Sequence, residues 1–275
     1  MSDSPAPVTP DKTLSRLQGL GAASRIDARW WLVTGTILLI IVLVTLMPDP
    51  YMRIVRFVSD GIGVTLSITI ISFLLTLVVG MIGGLGRLSR NPLVNGFSTL
   101  YVELVRGIPL MVQLIWWYFA FPVIVQGIGR SLNIQSLISY QANAWAMAIL
   151  GLVFCYGAYM SEVYRAGIQA IPRGQMEAAR SLGMTHMQAM RHIILPQAIR
   201  MILPPIGNEF IAMLKDSSLV SVVAVVDLTR RGREFMSSTF IPLQTWIMVA
   251  LLYLVMTLLS SVLVGWIEKK TKIER

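Results

Sequence analysis

The chain has 275 residues, of which 55% are hydrophobic and 13% charged, with a net charge of +9. Soluble domains carry about 25% charged residues, and the apolar residues here gather into stretches near the roughly 20 needed to cross a bilayer, so the chain reads as an all-α integral membrane protein. The basic excess suits the loops of such a protein under the positive-inside rule and attraction to anionic lipid; with no basic stripe carrying aromatic platforms, nucleic acid is excluded as a partner.

Residues 1–29 are polar and hold Pro5, Pro7 and Pro10. They lack the order of a signal peptide, a charged stretch followed by an apolar core and a cleavage site, and read as a retained polar tail. A first span is expected over 30–47, with Trp30 and Trp31 at the interface and Pro48 and Pro50 ending it. A second runs from about 62 to 85. There Gly80 and Gly84 have the G-x-x-x-G spacing that permits close helix contact, and Thr65 and Ser67 should bond back to their own helix. A third, 100–124, is interrupted by Gly107-Ile108-Pro109. Glu103 and Arg106, three apart, should pair on one face, Gln113 lies one turn past the break, and Trp116, Trp117 and Tyr118 read as interfacial anchors.

The fourth span, 142–161, is uncharged and contains Cys155, the one cysteine, read as a buried apolar residue; no disulfide or cysteine metal site is possible within the chain. Glu162 and Arg165 should pair at its end. A fifth span begins near Leu195 and should break at Pro204-Pro205 and Gly207, freeing backbone groups toward a cavity. The apolar run 219–226 is too short to span and reads as re-entrant or interfacial. A sixth span covers about 241–266, followed by a polar tail over 268–275.

Six crossings place both termini on one side. That side carries fifteen Lys and Arg, in the tail before Trp30, after span two, between Glu162 and Arg200, and in the C-terminal tail. The other carries seven, at Arg53, Arg56, Arg130, Lys215, Arg230, Arg231 and Arg233. The richer side should be cytoplasmic. The Arg230-Arg231-Gly232-Arg233 cluster runs against that trend, and neutralisation by Asp227 and Glu234 is expected.

The segment 177–196, EAARSLGMTHMQAMRHIILP, is the most informative of the chain. Glu177, Ala178 and Ala179 favour a helix with acid near its start. Gly183 suits a left-handed helix end, Thr185 can cap a following helix, and Pro196 suits a helix start. The pattern E-A-A, three residues, G, nine residues, I, one residue, L-P is met at Glu177, Ala178, Ala179, Gly183, Ile193, Leu195 and Pro196. It resembles the signature of permease subunits of bacterial ABC importers. DGIGVTLSIT at 60–69, YVELVRGIPLMVQ at 101–113, EVYRAGIQAIPRGQ at 162–175 and NEFIAMLKDSSL at 208–219 are similar to the polar amino-acid branch.

That resemblance covers about 60–267. It implies a type I importer permease fold of about five core spans, with 30–47 as an added N-terminal span and 172–196 as the cytoplasmic coupling segment. It further implies a multi-pass protein of the bacterial inner membrane, surrounded by lipid. A dimeric ATPase partner would receive Glu177, Ala178, Ala179, Gly183, Leu195 and Pro196, a second permease, identical or homologous, would complete the pathway, and a periplasmic binding protein would deliver an amino acid. Transport would be alternating access around a midplane site. No G-x-x-x-x-G-K-[ST] sequence occurs, so ATP and Mg belong to the partner ATPase and this chain binds no cofactor and is not an enzyme.

Ionisable groups within spans are functional candidates. Glu209 and Asp216, seven apart, share one helix face, and the resemblance places the substrate pocket along this helix. Asn208 and Lys215 repeat the spacing beside them, and Ser217 adjoins them. With Gln113 these are the expected substrate contacts. Two acids favour a basic amino acid; Lys215 and the basic outer loop favour an acidic or neutral one. An ion-coupled secondary transporter would show an inverted repeat, for which the NEFIAMLKDSS face has no counterpart in the first half; an ABC importer for another solute is the remaining alternative. An embedded enzyme would need a nucleophile–base or metal set. The two histidines, His186 and His192, lack the i, i+4 spacing of a helical metal site.

Overall fold

The structure, a computed structural model, describes residues 28–271; expectations for 1–27 and 272–275, most of the two polar tails, lie outside the described residues. Every regular element among the described residues is helical. The chain forms α1 (Ala28–Leu46), α2 (Pro48–Arg87), α3 (Pro92–Arg106), α4 (Leu110–Ile115), a π-turn Trp116–Ala120, α5 (Phe121–Leu132) and the short α6 (Gln135–Ile138). It continues with α7 (Ala144–Gln169), α8 (Arg173–Ser181), α9 (His186–Ala189), a second π-turn Met190–Ile194 and α10 (Leu195–Asp216). A 3₁₀ turn Ser217–Val223 leads to α11 (Leu228–Thr239) and α12 (Pro242–Thr271).

Five stretches are long and apolar enough to cross a membrane: Arg29–Leu46, α2, Leu110–Leu132, α7 and Pro242–Lys270. The expected fifth span, α10, has 22 residues but carries Arg200, Glu209, Lys215 and Asp216, so it does not qualify by apolarity.

Three boundaries differ from the sequence reading. The second span begins near Pro48 and, past a kink at the non-helical Asp49, runs as one helix to Arg87. Arg53, Arg56 and Asp60 interrupt its apolar run, yet Tyr51, Ile54, Val58 and Gly61 keep one face buried through them. Pro48 and Pro50 sit in the first turn, where a missing N–H is tolerated. The third span is 110–132 rather than 100–124. Gly107-Ile108-Pro109 interrupts it as expected, separating two helices, and α3 is a distinct amphipathic helix whose Asn91 cap accepts the Leu93 N–H at 2.9 Å. The fifth does not break: α10 runs unbroken through Pro204-Pro205. Gly207 is a packing position, since a Cβ there would lie 2.3 Å from Val264 Cγ1 on α12.

The apolar run after Asp216 turns back into the core, where Val220, Val223 and Val225 pack with Ile68, Leu114 and Leu152. Thr65 accepts the Leu228 N–H at 3.1 Å and so holds the start of α11, whereas Ser67 bonds back to the Gly63 carbonyl at 2.6 Å as expected. Among the third-span aromatics Trp117 packs on Phe121 and Phe154, with ring centroids 5.0 and 5.4 Å away, while Trp116 is exposed.

The core is organised around α7, which α2 follows along most of its length. The buried stripe of α2 recurs every three or four residues and ends in Gly80, Gly83 and Gly84, the periodicity of one helix face. A Cβ on Gly80 would lie 2.5 Å from Met160 Cβ, and one on Gly84 2.8 Å from the Ser161 carbonyl and Tyr164 Cβ. The helix backbones therefore approach as small residues allow. Gly84→Leu should cost about 1–3 kcal/mol through overpacking and lower the thermal midpoint of the detergent-purified protein. Gly63→Ala, where a Cβ meets nothing within 4 Å, should leave the midpoint unchanged or higher.

Candidate functional site

Helices α7 and α10 and the Gly107–Pro109 break enclose two adjoining cavities. One, of about 490 Å3, is lined by Arg106, Pro109, Cys155, Tyr156, Glu209 and Asp216 among others. The other, of about 370 Å3, is lined by Glu162, Val163, Met201 and Pro205. Arg106, Tyr159 and Glu209 border both, so the two form one groove with a charged waist. A third, larger hollow beside α3, lined by Phe97, Leu100, Leu104, Trp116 and Phe154, is almost wholly apolar and offers lipid contact rather than chemistry.

Within the groove Tyr156 donates its hydroxyl to Asp216 Oδ2 at 2.8 Å. The Arg106 guanidinium lies over the Tyr159 ring, 5.1 Å from its centroid, a cation–π arrangement that orients a charge without cancelling it. Glu209 is half-buried. Among the described residues neither Arg106, Glu209 nor Asp216 has an ion-pair partner.

The expected pairing of Glu103 with Arg106 does not occur. Glu103 faces Arg87 at 3.5 Å, and Arg87 also binds Glu162 at 2.6 Å. Arg165 binds both oxygens of Glu162, its Nε at 3.0 Å from Oε2. The expected Glu162–Arg165 pair is thus one half of a triad that straps α2 to α7.

Of the expected substrate contacts, Glu209 and Asp216 line the groove; the others do not. Asn208 and Lys215 are exposed on the neighbouring face of α10. Ser217 is buried and donates to the Leu214 carbonyl at 2.8 Å. Gln113 is buried, and its amide donates to the carbonyls of Val105 and Ile108 at 2.9 and 2.8 Å. It ties together the backbone that the break leaves open, which positions Arg106. Arg106, Tyr156 and Tyr159 were missed. The signal was present for the tyrosines: Tyr156, Tyr159 and Glu162 recur every third residue along one side of α7, whose sequence up to Met160 is otherwise apolar.

At the far end of α2, Glu234 neutralises the arginine cluster as expected, Asp60 takes the place of Asp227, and among the described residues Arg233 reaches only Ser221 Oγ at 3.5 Å. Arg231 Nε binds both oxygens of Asp60, at 3.1 and 3.0 Å, and Glu234 bridges Arg231 and Arg230, both at 3.1 Å. Asp227 instead caps α11, accepting the N–H groups of Thr229 and Arg230 at 3.1 and 2.9 Å.

Segment 177–196 forms the anticipated turn. The Gly183 N–H bonds the Arg180 carbonyl at 3.0 Å and the Met184 N–H the Ala179 carbonyl at 3.2 Å. This double closure requires a left-handed residue, and Gly183 has φ +81°. Thr185 Oγ1 accepts the Gln188 N–H at 3.3 Å while Gln188 Oε1 accepts the Thr185 N–H at 2.8 Å, a capping box. Ala179 is buried; Glu177, Ala178, Gly183, Leu195 and Pro196 are exposed, as are Leu182 and Met187, at 82% and 72%. Pro196 lies in the first turn of α10, as expected. It follows the π-turn closed by the Leu195 N–H on the Met190 carbonyl, and the helical path from 186 to 216 is continuous.

Residues 76–273 match the family described as binding-protein-dependent transport system inner membrane component. The chain is 40% identical over 209 residues to the arginine transport system permease protein ArgU of Corynebacterium glutamicum, covering 74% of this chain and 65% of that relative. It is 32% identical over 214 residues to the glutamine transport system permease protein GlnP of Escherichia coli K12, covering 78% and 92%. Among solved structures it superposes on an amino acid ABC transporter described as having histidines, with TM-score 0.70 and 36% identity over 80% of this chain and 96% of that one. The inward-facing MetNI methionine transporter, at TM-score 0.66 and 20% identity, covering 80% and 99%, shares the fold.

The triad gives a prediction. Glu162→Gln leaves Arg87 and Arg165 facing each other at low exposure and should cost about 1.5–3 kcal/mol, the scale of hydrogen bonds to charged groups. Glu103→Gln, whose side chain is 67% exposed, should change little. Thermal unfolding of the two purified variants checks the contrast.

Proposed function

We propose that this chain, which belongs to the family of binding-protein-dependent transport system inner membrane components, is the permease subunit of an ATP-driven amino-acid importer. Permeases of this kind are transport subunits rather than enzymes. ATP and Mg bind to a dimeric ATPase partner, a second permease, identical or homologous, completes the pathway, and a periplasmic binding protein delivers the substrate. The excess of Lys and Arg puts the 173–196 end and both termini in the cytoplasm, in the inner membrane.

One observation carries this reading: a single helical path, 186–216, joins the exposed turn at Gly183 to the groove face that bears Glu209 and Asp216. A push on the turn reaches the groove through one continuous helical path. The exposed Glu177, Ala178, Gly183, Leu195 and Pro196, with the apolar tips of Leu182 and Met187, suit a surface that another protein covers, and Ala179 anchors it from beneath. The groove carries both signs of charge, as a zwitterion requires, and the relatives named for arginine and glutamine transport support an amino acid as cargo. Asn208, Lys215 and Ser217 stand outside the groove, so substrate contact rests with Glu209 and Asp216; Gln113 acts on Arg106 through the backbone.

Gly183→Val forces a β-branched residue to positive φ and should abolish uptake in proteoliposomes while amino-acid binding to the purified complex stays within about twofold of wild type, far below the tenfold that 1.4 kcal/mol would give. Leu182→Asp, which leaves the turn's hydrogen bonds in place, should uncouple in the same way. Normal substrate-stimulated ATP hydrolysis in both variants would remove the coupling role.

A further inference from the structure

We infer that the groove is built for a cationic amino acid, with Arg106 and Glu209 taking the α-carboxylate and α-ammonium and Asp216 taking the charged end of the side chain. The inference rests on the amino-acid reading and narrows it.

The first argument is the charge count. The groove is lined by one cation, Arg106, and two acids without ion-pair partners, Glu209 and Asp216; the other acid on its border, Glu162, is already held by Arg87 and Arg165. A zwitterionic head group cancels one positive and one negative charge of the wall. One carboxylate is then left over. Leaving it unpaired away from water is costly, and a ligand with a second cation removes that cost, whereas a neutral or acidic side chain does not.

The second argument is spacing. An α-carbon holds its carboxylate and ammonium one bond away on either side, so their receptors must be neighbours. Arg106 and Glu209 are the two charged residues that border both halves of the groove, on facing elements at its waist. Asp216 lies seven residues further along the same helix face, about 10 Å at 1.5 Å per residue. A lysine or arginine side chain, extended and with a hydrogen bond at each end, bridges that gap. Tyr156 holds Asp216 Oδ2 and leaves Oδ1 to receive an ammonium or guanidinium.

Of the features of the sequence that favoured an acidic or neutral substrate, one lies off the groove and the other is reduced to Arg233. Lys215 is exposed off the groove, and the Arg230–Arg231 pair is neutralised by Asp60 and Glu234.

The test measures equilibrium binding of arginine, lysine, glutamine and citrulline, the neutral isostere of arginine, to the full complex of permeases and ATPase in lipid nanodiscs, without the binding protein. Arginine should bind about tenfold or more tightly than citrulline, as loss of a charge-assisted contact implies. Asp216→Asn should collapse that ratio toward one with little change for citrulline. Glu209→Gln should weaken all four ligands alike and keep the ratio. Citrulline or glutamine binding as tightly as arginine to the wild-type complex overturns the inference without any variant. So does a ratio lost in Glu209→Gln and kept in Asp216→Asn. If no amino acid binds while another solute does, the amino-acid reading itself falls.

Discussion

The close crossing of neighbours over α7 is the constraint on which the rest depends. In its most apolar stretch 61% of residues are buried, against 28% or fewer in the other four spans. Such a helix must be approached from several directions at once, and bulky residues at the crossings would hold the neighbours off. Gly80 and Gly84 admit α2 on one side. Gly167 admits α10 on another, where a Cβ would fall 2.1 Å from Ile202 Cγ1. With both neighbours drawn in, the face carrying Tyr156, Tyr159 and Glu162 is left opposite α10, and the groove is the space that remains. Without hydrophobic drive between helices in lipid, such backbone approach is a main source of association.

The charges sort by the same logic. An ionised group among apolar helices is expensive unless matched, and most of them here are matched within the chain. Glu162 is bracketed by Arg87 and Arg165 at one end of α7; Asp60 and Glu234 hold Arg231 and Arg230 at the opposite end of the bundle. Because Arg87 also occupies Glu103, Arg106 is released from its near neighbour and turned over Tyr159 into the groove. Gln113 fixes the backbone on which it turns, by bonds to the carbonyls on either side of Gly107. The unmatched charges of the groove are thus a product of matching elsewhere.

Local chemistry was legible in the sequence, and tertiary competition was not. The turn at Gly183 and Thr185 follows from rules that act over four or five residues, and the structure forms it bond for bond. The G-x-x-x-G contact was readable for the same reason. The i, i+3 rule for Glu103 and Arg106 failed because it is worth only a few tenths of a kcal/mol, and Arg87, sixteen residues earlier, outbid it from another helix. The interruption of the run 100–124 at Gly107-Ile108-Pro109 was legible, but not that the apolar stretch beyond it continues to Leu132. Pro204-Pro205 suggested a break that packing against α7 and α12 suppresses. Lys215 and Asn208 share a spacing with Asp216 and Glu209, but one residue on a helix is a 100° rotation, enough to carry them off the groove.

Pro204 and Pro205 nevertheless have a mechanical consequence. Proline donates no N–H, so the carbonyls of Arg200 and Met201 lack their usual helical partners, and the 186–216 rod is weakest between the turn and Glu209. Met201 and Pro205 themselves line the groove. A stiff rod would carry Glu209 and Asp216 rigidly with the turn, at a fixed angle to it. A rod with a soft point just before Glu209 can tilt the charged segment against Arg106, which is fixed to α3 and the Gln113 clamp. On the proposed function this difference matters, because a partner can release a bound ligand only through an interaction that differs between the two states. The distance between Arg106 and Glu209, set by two separately anchored elements, is the quantity in this chain that such a tilt changes.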